Sequence, residues 1–301
     1  MDAFLRRLED LYEEFNRREM TASDPLALLD RAMTPRDLEV TSFLVAGLSY
    51  GRVAQIQRSA ELLWQRLRSV GLEHNGESIS GWLRETPACE VRTEAARALA
   101  SWKHRLNTSS DLAAILSRLS SLLKKESSLA AVFQLGWDPD AQVQIERFCA
   151  LIAGTDRFPA KGTPWAGTGL TWFAASPALG GSAKRLLMWL RWMARKDEVD
   201  LGLWREPDLL RAHLPIPDAS RLFSPIDTHI FQWGREAKIL HLKSVNWRAV
   251  LTLTKFFREL RPADPARYDF ALCQAGMRGS PRPMPPHLKL KKRGQAHRVD
   301  L

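Results

Sequence analysis

An all-α fold follows from three observations on the sequence. Apolar residues recur at helical spacing along nearly the whole chain, no alternating strand pattern competes with them, and capping residues and prolines divide the periodic stretches. At 301 residues and 45% hydrophobic composition, the chain can bury one large core or two lobes sharing a cleft. Global disorder is thereby excluded.

The first helix carries Phe4, Leu5, Leu8, Leu11, Tyr12 and Phe15 on one face, and Leu26, Leu29 and Met33 continue the pattern after the Asp24-Pro25 start signal. The run from Phe43 to Leu48 is apolar on all sides, which predicts a helix at the centre of a lobe, with 53–70 as its amphipathic neighbour. Further helices are expected over 78–84, 90–102, 110–125, 128–135 and 141–153. Between 154 and 181 the composition turns to Gly, Pro, Thr and aromatic residues, marking irregular chain. The helical pattern resumes over 182–196. Pro207, Pro215 and Pro217 then break 197–224 into short pieces, and helices over 228–239, 245–260 and 265–276 complete the fold.

The chain has 44 basic and 34 acidic side chains, a net charge of +10. Six of the basic residues and one Asp lie in the Pro-rich, Lys-rich segment 281–301, which reads as a disordered tail, so the folded part is only mildly basic. Cys89, Cys149 and Cys273 lie too far apart for a contiguous metal or iron-sulfur motif, and their odd number argues against a disulfide framework. A reduced, cytoplasmic setting is expected, with no metal and no cofactor. The N-terminal 1–20 is charged and amphipathic, and no stretch approaches the roughly 20 uncharged residues of a membrane span.

Two segments carry chemistry. Gly180-Gly181-Ser182 precedes a helix opening at Lys184, and a glycine turn before a helix presents unpaired backbone N–H groups to a phosphate. In Pro225-Ile226-Asp227-Thr228-His229, Asp227 has the place of an N-cap, and a carboxylate so held can also face positive charge developing on a sugar. Lys184 in a first helical turn opposes the macrodipole at about 0.3–1 kcal/mol, which asks for a compensating role: packing, phosphate contact, or an amine nucleophile. Arg185 beside it would lower the amine pKa and Asp227 nearby would raise it. Arg185, Arg191, Arg195 and Lys196 read otherwise as the polar face of one helix, and His229 as structural.

The segment Pro225 to Phe231 resembles the Val-Asp-Thr-His-Ile-Phe stretch of endonuclease III and its relatives, the helix-hairpin-helix DNA glycosylases. Leu179-Gly180-Gly181-Ser182-Ala183-Lys184 looks like a variant of their Pro-Gly-Val-Gly-X-Lys hairpin, and 43–57 resembles their first core helix. The stretches 184–197, with Asp200, Gly202 and Trp204, and 268–272 resemble an uncharacterised prokaryotic family related to them, over about residues 35 to 280. The resemblance implies two helical lobes with the site between them: 34–196, and 1–33 joined to 220–279, with 197–219 an irregular insertion able to cover the cleft and 280–301 a basic tail. It assigns Asp227 as the essential carboxylate, Lys184 as the sugar-attacking lysine, and Gly180, Gly181 and Ser182 to the phosphate-binding hairpin; Arg185 beside them is expected to contact DNA as well.

Ser182 replaces the hairpin's second glycine, so its positive-φ conformation is expected to be lost or shifted. Gly51 stands where endonuclease III has the glutamine that fills the gap of a flipped base, leaving Tyr50 and Arg52 as substitutes. The family's iron-sulfur cysteines are missing. The expected activity is glycosylase or abasic-site lyase chemistry on a nucleotide flipped from double-stranded DNA. The alternatives are a noncatalytic DNA- or RNA-binding module on the same scaffold and an enzyme acting on a free nucleotide or nucleoside.

Overall fold

The computed structural model describes residues 2–69, 78–155 and 170–286, so part of the irregular stretch 154–181 and the end of the tail lie outside the described residues. The secondary structure is almost entirely helical. Helix α1 (Asp2–Phe15) leads through 3-10 turns at Arg18–Ser23 and Pro25–Leu28 into α2 (Pro35–Leu48), α3 (Val53–Leu67), α4 (Ile79–Glu85) and α5 (Ala88–Ala98). Helices α6 (Ser109–Leu123), α7 (Leu129–Leu135), α8 (Ala141–Ala153) and the short α9 (Leu170–Phe173) follow. After α10 (Lys184–Ala194) come three 3-10 turns and then α11 (Thr228–Glu236), α12 (Trp247–Leu260) and α13 (Asp269–Met277). No described helix is long and apolar enough to cross a membrane.

Side-chain caps set several of these starts. Thr34 accepts the Asp37 N–H, Ser128 the Ala131 N–H and Asn246 the Ala249 N–H, each satisfying a donor that the first turn leaves over. Helix α2 is buried along most of its length, as its all-round apolar sequence predicts, and its Phe43 ring meets Trp189 of α10 edge-on at 5.0 Å. The buried side chains form one continuous cluster from Phe4 to Ala275. Helix α1 packs on α13, where Glu9 accepts from Arg261, Arg267 and Tyr268.

Five expectations change. The stretch 43–57, one core helix by the resemblance, is two helices, as the separate apolar patterns of 43–48 and 53–70 predict, because the chain turns at Ser49–Arg52 with Gly51 at a φ of +102°. The helix expected over 90–102 stops at Ala98, and Lys103–His104 pairs antiparallel with Asn107–Thr108 as a small hairpin, β1 and β2. The hydroxyl of Tyr50 holds that hairpin, a tertiary contact that no alternating pattern announces.

Arg191 and Arg195 do not belong to a solvated face. Both are buried: Arg191 reaches Asp200 at 3.1 Å and Asp269 at 2.7 Å, while Arg195 pairs with Asp200, Asp197 and Asp264. The insertion 197–219 packs on α2 and the start of α7, its Trp204 indole donating to Glu39 and its Leu209 carbonyl accepting from Ser128. Finally, 281–286 is docked on α11: Arg282 donates to the His229 carbonyl, and the buried Trp233 indole finds its acceptor in Pro283 O at 2.8 Å.

Candidate active site

The hairpin before α10 is built from a Ser176-capped 3-10 turn, Pro177–Leu179, closed by Gly180 at φ +79°. Gly180 O accepts the Trp247 N–H at 3.2 Å, which ties the hairpin to the start of α12. A β-carbon at Gly181 would meet nothing within 4 Å, so space alone does not demand glycine there. The second positive φ falls on Ala183, at +48°, one residue after the serine that replaces the hairpin glycine. That conformation costs a residue with a β-carbon about 1 kcal/mol. Ala183 is also the N-cap residue of α10 and has no side chain able to cap it, so the first-turn donors of α10 lack the bond that Thr34 gives α2.

Beside this first turn opens a cavity of about 630 Å³. Lys184 and Asp227 both line it, together with Tyr50, Gly51, Gly181, Ser182 and Arg185. Gly180 and Arg52 do not line it; Arg52 is exposed at the start of α3 without a side-chain capping bond. No residue of 197–219 lines it either, so the insertion does not cover this space.

Asp227 is the N-cap of α11, as its place after Pro225-Ile226 predicts. Its Oδ1 accepts the Ile230 N–H at 2.7 Å, and its Oδ2 accepts the Cys273 thiol proton at 2.7 Å. Burial pushes the Cys273 thiol well up and the Asp227 charge adds to the effect, which keeps the thiol protonated and donating. Asp24 enters the same cavity from the N-terminal side, half-buried, where it caps the 3-10 turn through Leu26 N–H at 3.0 Å. Burial pushes its carboxyl up and the Asp227 charge adds to this; the Leu26 bond, Arg191 and Lys184 pull it down. Asp24 and Cys273 were not foreseen as site residues. The Asp24-Pro25 pair announces a helix start but not the cavity, and nothing local marks Cys273.

Arg185 is held between rings, its guanidinium 5.1 Å from the Tyr50 centroid and 4.7 Å from that of Trp172. It donates to Gly47 O at 2.6 Å and forms no ion pair with a carboxylate among the described residues. Burial pushes it down to about 10, which leaves it charged at neutral pH. The Tyr50 hydroxyl shares its proton between the His104 carbonyl at 2.8 Å and Asn107 Oδ1 at 2.7 Å, and accepts the Leu106 N–H. Tyr50 is therefore an anchored wall of the cavity.

A family model described as a protein of unknown function, DUF2400, matches residues 24–278, a range that includes every cavity-lining residue except Ser23. No curated protein and no solved structure matches the chain.

Proposed function

The chain belongs to the DUF2400 family, and from its cavity we propose that it binds DNA around the hairpin and acts on a nucleotide turned out of the duplex, as a glycosylase with abasic-site lyase chemistry. One observation carries this reading: an amine and a carboxylate remote in sequence, Lys184 and Asp227, line one cavity. Its volume of about 630 Å³ lies within the roughly 300–1,000 Å³ of small-molecule sites. The two-lobed helix-hairpin-helix architecture, with 1–33 joined to 220–279, belongs to the same proposal.

In this reading the uncapped first turn of α10, Lys184 and Arg185 attract the phosphate that flanks the everted nucleotide. Tyr50 and Trp172 supply aromatic surface for the base or sugar. As the N-glycosidic bond breaks, the base leaves with the bonding pair and positive charge develops on the sugar. Asp227, fixed by Ile230 N–H and Cys273, presents its negative charge to it without having to reorganise. Lys184 then adds to the anomeric carbon.

The test incubates the protein with duplexes carrying abasic sites and a panel of modified bases, followed by borohydride. The expected result is a trapped protein–DNA adduct that Lys184→Ala abolishes and Asp227→Asn slows. No adduct and no strand cleavage across the panel overturns the catalytic reading. A noncatalytic DNA-binding module is favoured by a different observation, that both oxygens of Asp227 already hold donors. It predicts duplex binding that Arg185→Met weakens while wild-type protein traps nothing.

A further inference from the structure

The two carboxylates at the cavity are not equivalent. Asp227 spends one oxygen on Ile230 N–H and the other on the Cys273 thiol. Asp24 spends only Oδ1, on Leu26 N–H, and its Oδ2 has no protein partner among the described residues. That oxygen is also not among the sealed, unpartnered polar atoms, and Asp24 lines the same cavity as Lys184. The charges facing Asp24 are Lys184 and Arg191 on α10 and Asp227 on α11, and the Cys273 thiol on α13 feels Asp24 in turn.

We propose that Asp24 is the proton acceptor that frees the Lys184 amine and later returns that proton to the departing hydroxyl; the assignment rests on the lyase reading above, in which Lys184 is the nucleophile. An ammonium cannot attack, so one proton must leave Nζ first. Asp227 is less well placed to take it, because each of its oxygens already accepts a proton donor, and a proton on either would weaken that oxygen as an acceptor. Asp24 Oδ2 has a lone pair available. When a nucleotide fills the cavity and expels water, desolvation penalises ammonium and carboxylate alike, and moving one proton from Nζ to Oδ2 cancels both charges.

The neutral amine then forms an N–C bond to the aldehyde carbon of the open abasic sugar, and the carbonyl pair moves onto oxygen. A second amine proton passes to that oxygen. Asp24 returns the first proton to the resulting hydroxyl, the C–O bond breaks, water leaves with two protons, and the nitrogen keeps one in the iminium that borohydride reduces. Asp24 thereby ends ionised, as it began.

Asp24→Asn is the informative variant, because asparagine still offers Leu26 N–H an acceptor and so preserves the turn. Two measurements on the full chain separate the outcomes. In the first, single-turnover trapping on an abasic duplex is followed from pH 6 to 10. Asp24→Asn is expected to slow trapping at neutral pH by about 10²- to 10⁴-fold, as for a lost general base, and to recover toward the wild-type rate at high pH. A wild-type profile overturns the assignment, and so does a loss that high pH does not restore.

In the second measurement, lysines are reductively ¹³C-methylated and the Lys184 resonance, assigned by its disappearance in Lys184→Arg, is titrated. Removing the Asp24 charge should lower the midpoint, since the two charges favour each other's ionised form. If wild-type protein traps nothing on any duplex, the lyase reading falls. The titration still decides the pair: a lowered midpoint keeps Asp24 as the partner of Lys184, and an unmoved one removes it.

Discussion

Glu39 offers a quantitative test of how this fold is held. It lies fully buried on α2 and accepts from Leu129 N–H at 2.8 Å, Ala130 N–H at 2.7 Å and the Trp204 indole at 2.7 Å, so one carboxylate caps α7 and anchors the insertion. Burial pushes its carboxyl up to about 7, against the three donors and Arg36, which pull it down. Against an unfolded value of 4.5, the folded protein retains a proton between pH 4.5 and 7 that the unfolded chain has lost. Stability then falls as pH rises through this window. The contribution is fully present below pH 4.5 and lost above 7, a change of about 3 kcal/mol at 1.36 kcal/mol per unit. Urea unfolding at pH 5, 6, 7 and 8, compared between wild type and Glu39→Gln, isolates this term because other titrations cancel in the difference. The wild type should lose about 2–3 kcal/mol more than the variant across the series, because pH 5 already lies inside the window, with Trp204 fluorescence shifting over the same range. A difference independent of pH would refute the reasoning, since it would mean that the three donors hold Glu39 ionised throughout.

Three further outcomes concern the packing and the C-terminal segment. A β-carbon at Gly47 would lie 2.2 Å from Phe173 Cδ1, so Gly47→Ala should cost about 1–3 kcal/mol in urea unfolding and displace a wall of the cavity; an unchanged midpoint would refute the contact. Truncation after Pro286 removes Lys289, Lys291, Lys292, Arg293 and Arg298 and should flatten the salt dependence of DNA binding by up to about 4–5 in log-log slope, with stability untouched. Truncation after Ser280 also breaks the Arg282 and Pro283 bonds to α11 and should cost about 1–3 kcal/mol; equal stability of the two truncations would refute the docking.

What was legible in the sequence followed the reach of each signal. Apolar spacing placed α1, α6, α8 and α12 to within a few residues, because a helix face is written locally. The N-cap role of Asp227 was legible for the same reason. Periodicity cannot register where a charge finds its partner, so Arg191 and Arg195 read as a solvated face although Asp200, Asp264 and Asp269 reach them from other segments. The hairpin at β1 and β2 escaped notice because Tyr50, more than 50 positions away, satisfies its turn. Asp24 reads as a start signal, which it is, but its place in the cavity wall depends on residues more than 150 positions away.

The two ends of α10 differ in a way that bears on what the cavity receives. At the C-terminal end, Arg191 and Arg195 are buried and each is matched by at least two carboxylates, so desolvation is offset within the protein and little positive potential is left. At the N-terminal end, Arg185 is desolvated without a carboxylate partner among the described residues, beside backbone donors that no side chain caps. The aromatic sandwich and Gly47 O satisfy part of the guanidinium and neutralise none of it. Charge left uncompensated in a half-enclosed space costs stability in the free protein, and an anion entering that space recovers it. Asp24 and Asp227 bear on the opposite side of the problem, since they would repel a phosphate placed against them. A ligand whose phosphate lies at Arg185 and the hairpin, and whose sugar reaches toward Lys184 between the two acids, satisfies both demands at once. A nucleotide has that polarity, free or within a polymer, whereas a nucleoside supplies no anion for the N-terminal end of α10.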